Sequence, residues 1–294
     1  MLGTAVCPNR IPSVQRFINK VNIVASSTAL VSTWLFIEDY GVCFDAGDGL
    51  TAGLGLKSRK IRHLFLSHAD RDHIAGLLQF NALNGAAKPS IYFPRDCGSF
   101  PALRDFCAAF DAHTDQASWH PVGEGDEIEV GTNVFVRVLR SDHVQIENKQ
   151  KSLSFLLFKR LKKVRAEFLG KDIARLKQTM SDEALFEYRE QRLFGYSGDG
   201  APNPTLWLGA EVIAHEATFL TTEDSDRARS RHAGLPETLA MMSRLRPTAA
   251  ILYHFSPRYD AAEIQSTVDS MRRQLGIDFP IHLVVPGVIA RFEV

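Results

Sequence analysis

A short turn crowded with histidines and aspartates constrains the fold of this 294-residue chain more than any other feature. The turn reads HADRDH at residues 68–73, after an apolar run typical of a strand and before a helix-like pattern. A helix N-cap at Asp72 would explain one aspartate. It would not explain two histidines and a second carboxylate, so the sequence predicts a metal site where the strand ends.

Three further residues in the chain are candidate ligands, because a site for two ions needs more ligands than one turn supplies. His143 follows an apolar strand pattern, Asp199 lies in the small-residue turn YSGDG, and His254 ends the run AAILYHFS. Each alone could be a satisfied core histidine or a turn aspartate. Together, at successive strand ends, they indicate a ligand set. Nitrogen and carboxylate ligands suit zinc, with manganese and iron as alternatives.

The order of the predicted elements favours a layered α/β fold. Apolar, β-rich segments dominate the first half of the chain and alternate with helical patterns in the second half, which argues against a helical bundle or a barrel. The hydrophobic content of 45% is ample for a large core. We therefore expect one compact domain over residues 1–294.

Cysteine usage and hydropathy predict a cytoplasmic protein with no membrane partner. The four cysteines form no C-x-x-C pair, so neither a disulfide framework nor a thiolate zinc site is indicated. The first residues lack the apolar block of a signal peptide, and no run approaches the roughly 18 apolar residues of a membrane span. Basic and acidic residues both number 34, so the overall charge identifies no partner.

A basic segment interrupts this pattern at residues 159–194. It contains no proline and consists mostly of helix-forming residues, which predicts a helical insertion between two strands. Residues 158–178 carry eight basic and two acidic residues. They could form a solvated helix face balanced by the acidic stretch at 182–190, or a clamp for a phosphate backbone. The candidate RNA contacts are Lys162, Lys163 and Arg165.

Several motifs, in this order along the chain, resemble the metallo-β-lactamase-fold hydrolases and, among them, the tRNase Z branch. The turn HADRDH resembles the H-x-H-x-D-H signature of the fold, and FDAGDG resembles the turn that precedes it in the family. IAHEATF resembles the H-E-A-T box of the branch, and ILYHFSPRY resembles its histidine-serine-arginine-tyrosine loop. The resemblance runs from about Ile23 to Tyr259 and implies a four-layer αββα sandwich, here with the helical insertion.

The resemblance also implies two divalent ions and a proton-donor pair. One ion would be held by His68, Asp70, His143 and Asp199. The other would be held by Asp72, His73, His254 and the shared Asp199. Glu216 and His232 would protonate the leaving oxygen, and Arg258 would contact a phosphate. Asp72, Glu216 and His232 are thus the implied catalytic residues.

The expected function is that of a metal-dependent phosphodiesterase. The resemblance favours a tRNase Z-like endonuclease that processes the 3′ end of RNA, such as a tRNA precursor, with a metal-bridged hydroxide; it also implies a homodimer. One alternative is hydrolysis of a small phosphodiester, a lactone or a thioester. Another is a noncatalytic nucleic-acid-binding or scaffold protein with an incomplete metal site.

Two departures from the family pattern lead to expectations of their own. Asp70 stands where the family has histidine; the shorter aspartate would reach an ion only through a water, which predicts an asymmetric centre in which the ion near His68, Asp70 and His143 is bound weakly. Its extra negative charge predicts a higher pKa for the bridging water and a preference for harder ions such as manganese. Residues 159–194 also lack the glycine- and proline-containing arm of the bacterial enzymes, since they contain no proline and only one glycine, Gly170. A basic lobe would replace that arm, or the substrate would differ.

Overall fold

The computed structural model describes residues 20–95, 97–112, 116–146, 150–221 and 231–294. The strands are β1 (Asn22–Thr28), β2 (Ser32–Ile37), β3 (Val42–Phe44), β4 (His63–Phe65), β5 (Ser90–Pro94), β6 (Ser118–Val122), β7 (Glu127–Gly131), β8 (Val134–Ile146), β9 (Gln150–Val164), β10 (Phe186–Tyr196), β11 (Val212–Glu216), β12 (Ala249–Tyr253), β13 (Ile281–Leu283) and β14 (Ala290–Glu293).

The α-helices are α1 (Leu50–Leu54), α2 (Arg71–Ile74), α3 (Leu77–Asn84), α4 (Ser99–Phe110), α5 (Ile173–Leu176), α6 (Asp182–Leu185), α7 (Pro204–Trp207), α8 (Leu235–Leu245) and α9 (Ala261–Gln274). Short 3-10 helices lie at Gly55–Lys60, Gly85–Ala87 and Ala166–Phe168. No helix among the described residues is long and apolar enough to cross a membrane.

The strands form two seven-stranded mixed sheets. The first has the order β14-β1-β2-β3-β4-β5-β6, and the second has the order β13-β12-β11-β10-β9-β8-β7. Strands β3 to β6 run parallel to one another, as do β10 to β13, while the remaining pairs are antiparallel. The parallel strands carry the sequence motifs at their carboxyl ends, where open α/β sheets place their sites.

Apolar side chains fill the space between the sheets and beneath the helices. Between the sheets, the ring of Phe44 stacks on Tyr196 with centroids 4.8 Å apart and on Phe155 at 5.6 Å. On the outer face of the first sheet, a cluster around Trp34 packs against α1, α3 and α4. On the outer face of the second sheet, a cluster around Leu252 packs against α7, α8 and α9. The predicted four-layer αββα sandwich is therefore confirmed.

The prediction of a helical insertion at residues 159–194 is wrong in its secondary structure. β9 continues to Val164 and pairs antiparallel with β10, and helix is limited to the single turns α5, α6 and Ala166–Phe168. Cross-strand contacts explain why pairing overrides helix-forming composition. The Arg137 side chain of β8 donates to Glu190 of β10 at 3.0 Å, and its guanidinium lies 4.5 Å from the Phe158 ring. We call residues 159–194 the basic hairpin.

Candidate active site

The predicted ligands meet where the strands of both sheets end. The ligand atoms form three sets, and within each set they lie within 4.8 Å of one another. The sets are His68, His143 and Asp199; Asp72, His73 and His254; and Asp199, His232 and His254. All of these residues except His232 are buried. Because Asp199 belongs to two sets, a single carboxylate connects the first-sheet turn at residues 68–73 to the histidines of the second sheet.

The separations between ligand atoms fit coordination of common ions. Asp199 Oδ2 lies 3.5 Å from His68 Nε2, 3.3 Å from His73 Nε2 and 3.4 Å from His254 Nε2. His254 Nε2 also lies 3.2 Å from Asp72 Oδ2. Ligand atoms bound tetrahedrally at zinc distances are about 3.4 Å apart. Imidazole nitrogens and carboxylates in this arrangement can therefore hold two divalent ions.

Unsatisfied buried atoms also favour bound ions. His68 Nε2 and Asp199 Oδ1 are buried and have no hydrogen-bond partner among the described residues. Buried polar atoms without partners are rare in folded proteins, because each costs about 1–3 kcal/mol. A bound cation would satisfy both atoms, so the residues present fit the metal pair that the fold implies.

Asp70 reaches the same cluster despite its exposure. Its Oδ2 lies 3.4 Å from His68 Nε2 and 3.7 Å from His143 Nε2, although 43% of its side chain is exposed, against 2% for Asp199. The neighbouring imidazoles of His143 and then His68 hold the pKa of Asp70 well below its usual range. Asp70 is thus an ionised carboxylate placed close enough to share an ion with both histidines.

Asp45, in the FDAGDG turn, is a site residue that motif reasoning missed. Its carboxylate accepts hydrogen bonds from Ser67 N at 2.7 Å, Ser67 Oγ at 2.8 Å and the Tyr196 hydroxyl at 2.6 Å. Its Oδ2 also lies 2.8 Å from His73 Nδ1. A carboxylate on Nδ1 fixes the tautomer that leaves Nε2 for an ion. The backbone φ of Asp45 is 59°, a strained conformation that such contacts can maintain.

Thr218, in the H-E-A-T box, connects the two halves of the site. Its Oγ1 donates to Glu216 Oε2 and lies 2.9 Å from His254 Nδ1. The same hydroxyl can therefore accept a hydrogen bond from the Nδ1–H of His254, which leaves His254 Nε2 unprotonated and facing the cluster. The motif pointed to this box, but the spacing alone did not indicate that its threonine contacts a histidine 36 residues away.

Glu216 and His232 form a hydrogen-bonded pair beside the ligand cluster. His232 Nδ1 lies 3.0 Å from Glu216 Oε1, and Gly200 N donates to the same oxygen at 2.6 Å. Glu216 is fully buried, whereas His232 is 12% exposed. Burial lowers the pKa of His232, but the adjacent carboxylates of Glu216 and Asp199 outweigh it and raise the pKa to about 9. The pair can therefore present a protonated imidazole at neutral pH.

The predicted substrate contacts lie outside this cluster. Exposed Arg258 donates from Nε to Ser256 Oγ at 3.1 Å, and its guanidinium lies 5.7 Å from the ring of Phe219, which packs edge-on against His232. Arg258 thus lies near the Glu216–His232 pair. The three basic hairpin residues lie far along β9, because nine residues from Leu153 to Lys162 span about 30 Å.

The geometry agrees with comparisons to known proteins. A family model described as a beta-lactamase superfamily domain matches residues 42–255, and the chain belongs to this superfamily. It is 27% identical to a ribonuclease Z of Natronomonas pharaonis over 261 residues, which cover 77% of this chain and 82% of that protein. It is 26% identical to a chloroplastic tRNase Z of Arabidopsis thaliana over 228 residues, 70% of this chain and 61% of that protein.

Solved structures share the fold. The short form of human tRNase Z superposes with a TM-score of 0.59 at 17% sequence identity, covering 92% of this chain and 98% of that one. A metallo-beta-lactamase fold protein of Bacillus subtilis gives 0.63 at 10% identity, covering 93% and 100%. The prediction of a metallo-β-lactamase-fold enzyme resembling tRNase Z is therefore confirmed at the level of family and fold.

Proposed function

We propose that this chain is a metal-dependent phosphodiesterase, and specifically a tRNase Z-like endonuclease that processes the 3′ end of RNA. The observation that carries the proposal is the hydrogen bond between Glu216 and His232 beside a ligand set for two ions. Phosphodiester hydrolysis must expel an alkoxide, and a histidine held by a carboxylate is suited to protonate it. The relatives named ribonuclease Z and tRNase Z support RNA as the substrate.

Two divalent ions, zinc first with manganese or iron as alternatives, would supply an activated water and neutralise charge on the phosphodiester. The first would be held by His68, Asp70, His143 and Asp199. The second would be held by Asp72, His73, His254 and Asp199. Leu30 N donates to Asp72 Oδ2 at 2.9 Å and so orients that carboxylate toward the ligand cluster.

His232 would act as the general acid. With Nδ1 bonded to Glu216, its Nε2 proton is the one available to a leaving oxygen. Gly200 N and the Thr218 hydroxyl donate hydrogen bonds to the Glu216 carboxylate, so its negative charge stays next to the imidazole of His232. After transfer, the neutral ring would recover a proton from solvent through its exposed edge. The exposed guanidinium of Arg258 would contact a nonbridging oxygen of the same phosphate.

The proposal is tested by comparing two substrates of the metal-loaded protein. A precursor tRNA with a 3′ extension should be cleaved at a single position, and bis(p-nitrophenyl) phosphate should be hydrolysed by the same preparation. The Asp199→Asn variant should lose both activities, because Asp199 contributes to both ligand sets. Retention of RNA cleavage by Asp199→Asn, or failure of the wild type to cleave any phosphodiester, contradicts the proposal.

A small phosphodiester is the second candidate substrate. It is favoured by the contacts of the basic hairpin, where Lys162 pairs with Asp182 and Arg165 donates to the Glu183 carbonyl oxygen at 3.0 Å. Two of the three predicted RNA contacts are thus engaged within the hairpin. The comparison of substrates decides between the candidates, since this alternative predicts turnover of the diester without cleavage of precursor tRNA.

A further inference from the structure

A groove of about 240 Å³ is lined in part by Arg140 and Gln145, which flank the candidate ligand His143 in β8. It lies between the carboxyl ends of β5 and β6 and the part of the second sheet where β8 and β9 pair. Its polar lining residues are Arg95, Glu124, Arg140, Gln145, Lys151 and Ser152. We call it the side groove.

A bulge in β8 builds both the side groove and part of the ligand cluster. Arg140 pairs with Leu153 and Gln145 pairs with Lys151, so residues 141–144 lie opposite one residue of β9. Such a bulge redirects side chains. It carries His143 to the cluster and leaves Arg140 and Gln145 on the groove wall. The Gln145 side chain closes the bulge by donating to the carbonyl oxygens of Ser141 at 2.7 Å and Ser152 at 3.0 Å.

The β9 part of the same wall is also joined to the cluster. Leu153 N, on the groove wall, donates to the carbonyl oxygen of Ser67 at 2.9 Å, and Ser67 directly precedes the ligand His68. A chain of phosphates bound at the cluster would therefore meet the side groove next.

Among the described residues, the side groove carries three cations against one lining acid, Glu124. Arg95 is ion-paired with Asp126 at 2.7 Å. Arg140 has only a loose contact of 3.9 Å with Asp142, and Lys151 has no ion pair within the described part of the chain. An exposed pair at that distance contributes little. Arg140 and Lys151 are consequently available to an anion.

We propose that the side groove binds a phosphate of the RNA backbone that flanks the linkage being cleaved, with Arg140 and Lys151 as its contacts. The inference rests on the proposed function, because it requires a polynucleotide substrate. Guanidinium and ammonium groups are the usual partners of nonbridging phosphate oxygens, and such contacts position the strand without reading its sequence. A diester with a single phosphate would leave the side groove unused.

The test uses the metal-loaded Arg140→Gln/Lys151→Gln variant on precursor tRNA and on bis(p-nitrophenyl) phosphate. The ratio of kcat/KM for RNA to kcat/KM for the small diester should fall about tenfold or more, as expected for lost bonds to a charged group. The slope of log KM for RNA against log salt should decrease by about 0.7, because one phosphate of a single strand loses its cationic contacts. Each single variant should give about half of that decrease.

A matched control removes the same charge elsewhere. The variant Arg59→Gln/Arg273→Gln changes the 3-10 helix Gly55–Lys60 and α9, which do not line the side groove. Its ratio of kcat/KM for RNA to kcat/KM for the small diester should stay within twofold of the wild-type ratio. A second readout uses RNAs that carry one neutral methylphosphonate at successive linkages around the cleavage site. A methylphosphonate at one flanking linkage should slow cleavage by the wild type about tenfold, and it should cause no further loss of cleavage in the double variant.

The outcomes separate this inference from the proposed function. If the wild type cleaves RNA while the double variant matches the control in ratio, slope and methylphosphonate profile, the side groove is not a phosphate site and the proposed function stands. If the wild type hydrolyses the small diester and leaves RNA intact, both are overturned.

Discussion

Among single residues, the groups that orient the ligands are as informative as the ligands themselves. Asp45 holds the ring of His73, and Thr218 holds the ring of His254, each through Nδ1. Both Asp45 and His254 have a left-handed backbone, with φ of 59° and 64°. Strain of this kind persists where surrounding contacts determine the conformation, as at functional sites.

Replacement of Asp45 should weaken metal binding without removing a ligand. In Asp45→Asn, the amide has one acceptor oxygen and no charge, so it cannot serve Ser67, Tyr196 and His73 together. We expect metal affinity to fall about 10–100-fold, as for other partners of ligating histidines. Competition titration with a chelating dye measures it. The exposed neighbour Asp48→Asn is the control, and equal affinities in the two variants would show that Asp45 only braces the fold.

The proton-donor role of His232 predicts a dependence on the leaving group. His232→Ala should lower turnover of a substrate with an alkoxide leaving group by roughly 10²–10⁴ and spare one that releases nitrophenolate. The exposed His120→Ala serves as the control and should change neither rate. Equal losses on both substrates in His232→Ala would favour a structural role for the pair with Glu216.

The raised pKa of His232 gives this role a pH signature. The protonated imidazole of His232 is the general acid, so the rate of alkoxide expulsion should fall as pH rises through its pKa of about 9. Cations at the neighbouring ligands would lower that pKa, and the fall should then begin below pH 9. The pH–rate profiles of the two substrates in the wild type measure the effect, because the nitrophenolate substrate should lack this limb.

Asp70 predicts an asymmetric metal centre. Aspartate is shorter than histidine and 43% of the Asp70 side chain is exposed, so the ion near His68 and His143 should bind more loosely. Asp70, Asp72 and Asp199 together place three negative charges against two divalent ions, which should raise the pKa of the bridging water and favour harder metals such as manganese. Asp70→His should tighten that site and move the pH–activity profile to lower pH. Metal titration of both proteins measures this. Two equally tight zinc ions in the wild type, unchanged by the substitution, would contradict it.

Among the elements of secondary structure, the sequence predicts those with strong periodicity. The apolar strands β2, β4 and β12 and the amphipathic helices α4, α8 and α9 lie where their patterns place them. The edge strands β6 and β7 are not predicted, because they are short and mostly exposed and therefore lack a clear alternation of apolar and polar residues.

The site residues show the same limit. Ligands that follow strands could be inferred from chain order, and the structure brings them together. The contacts of Asp45 and Thr218 depend on partners 28 and 36 residues away, which only the packed sheets define. The prediction of helix in the basic hairpin is wrong because its charged residues favour helix locally, whereas pairing between β9 and β10 decides its conformation.

The basic hairpin predicts unequal roles for its lysines. Lys162 lies 4.2 Å from the ring of Phe186 and pairs with Asp182, so it stabilises the hairpin tip, while exposed Lys163 has no ion pair in the described segments. Lys163→Gln should weaken RNA binding and lower its salt slope by about 0.7–0.9. Salt titrations of RNA binding measure this, with Lys88→Gln as the control.

Neutralising Lys162, Lys163 and Arg165 together should lower RNA binding further and leave hydrolysis of bis(p-nitrophenyl) phosphate nearly intact. A loss on the small diester equal to that on RNA would point to a folding defect. A Lys163→Gln variant that binds RNA like Lys88→Gln would remove the basic hairpin from the binding surface.

For the whole molecule, the two sheets meet at a cluster that carries buried negative charge. Asp45, Asp199 and Glu216 are all buried there. Bound cations would offset this charge and stabilise the folded state by about 4 kcal/mol at a thousandfold excess over Kd. The junction of the sheets is thus expected to depend on the same ions as catalysis.

The most direct measurement is a titration of the chelated protein with zinc or manganese, in which cleavage of a 3′-extended precursor tRNA and the melting temperature are followed together. Cleavage should be absent without metal and complete at two ions per chain. The melting temperature should rise by about 10 °C over the same range. Undiminished cleavage by the chelated protein, or two bound ions without cleavage of any phosphodiester, would contradict it.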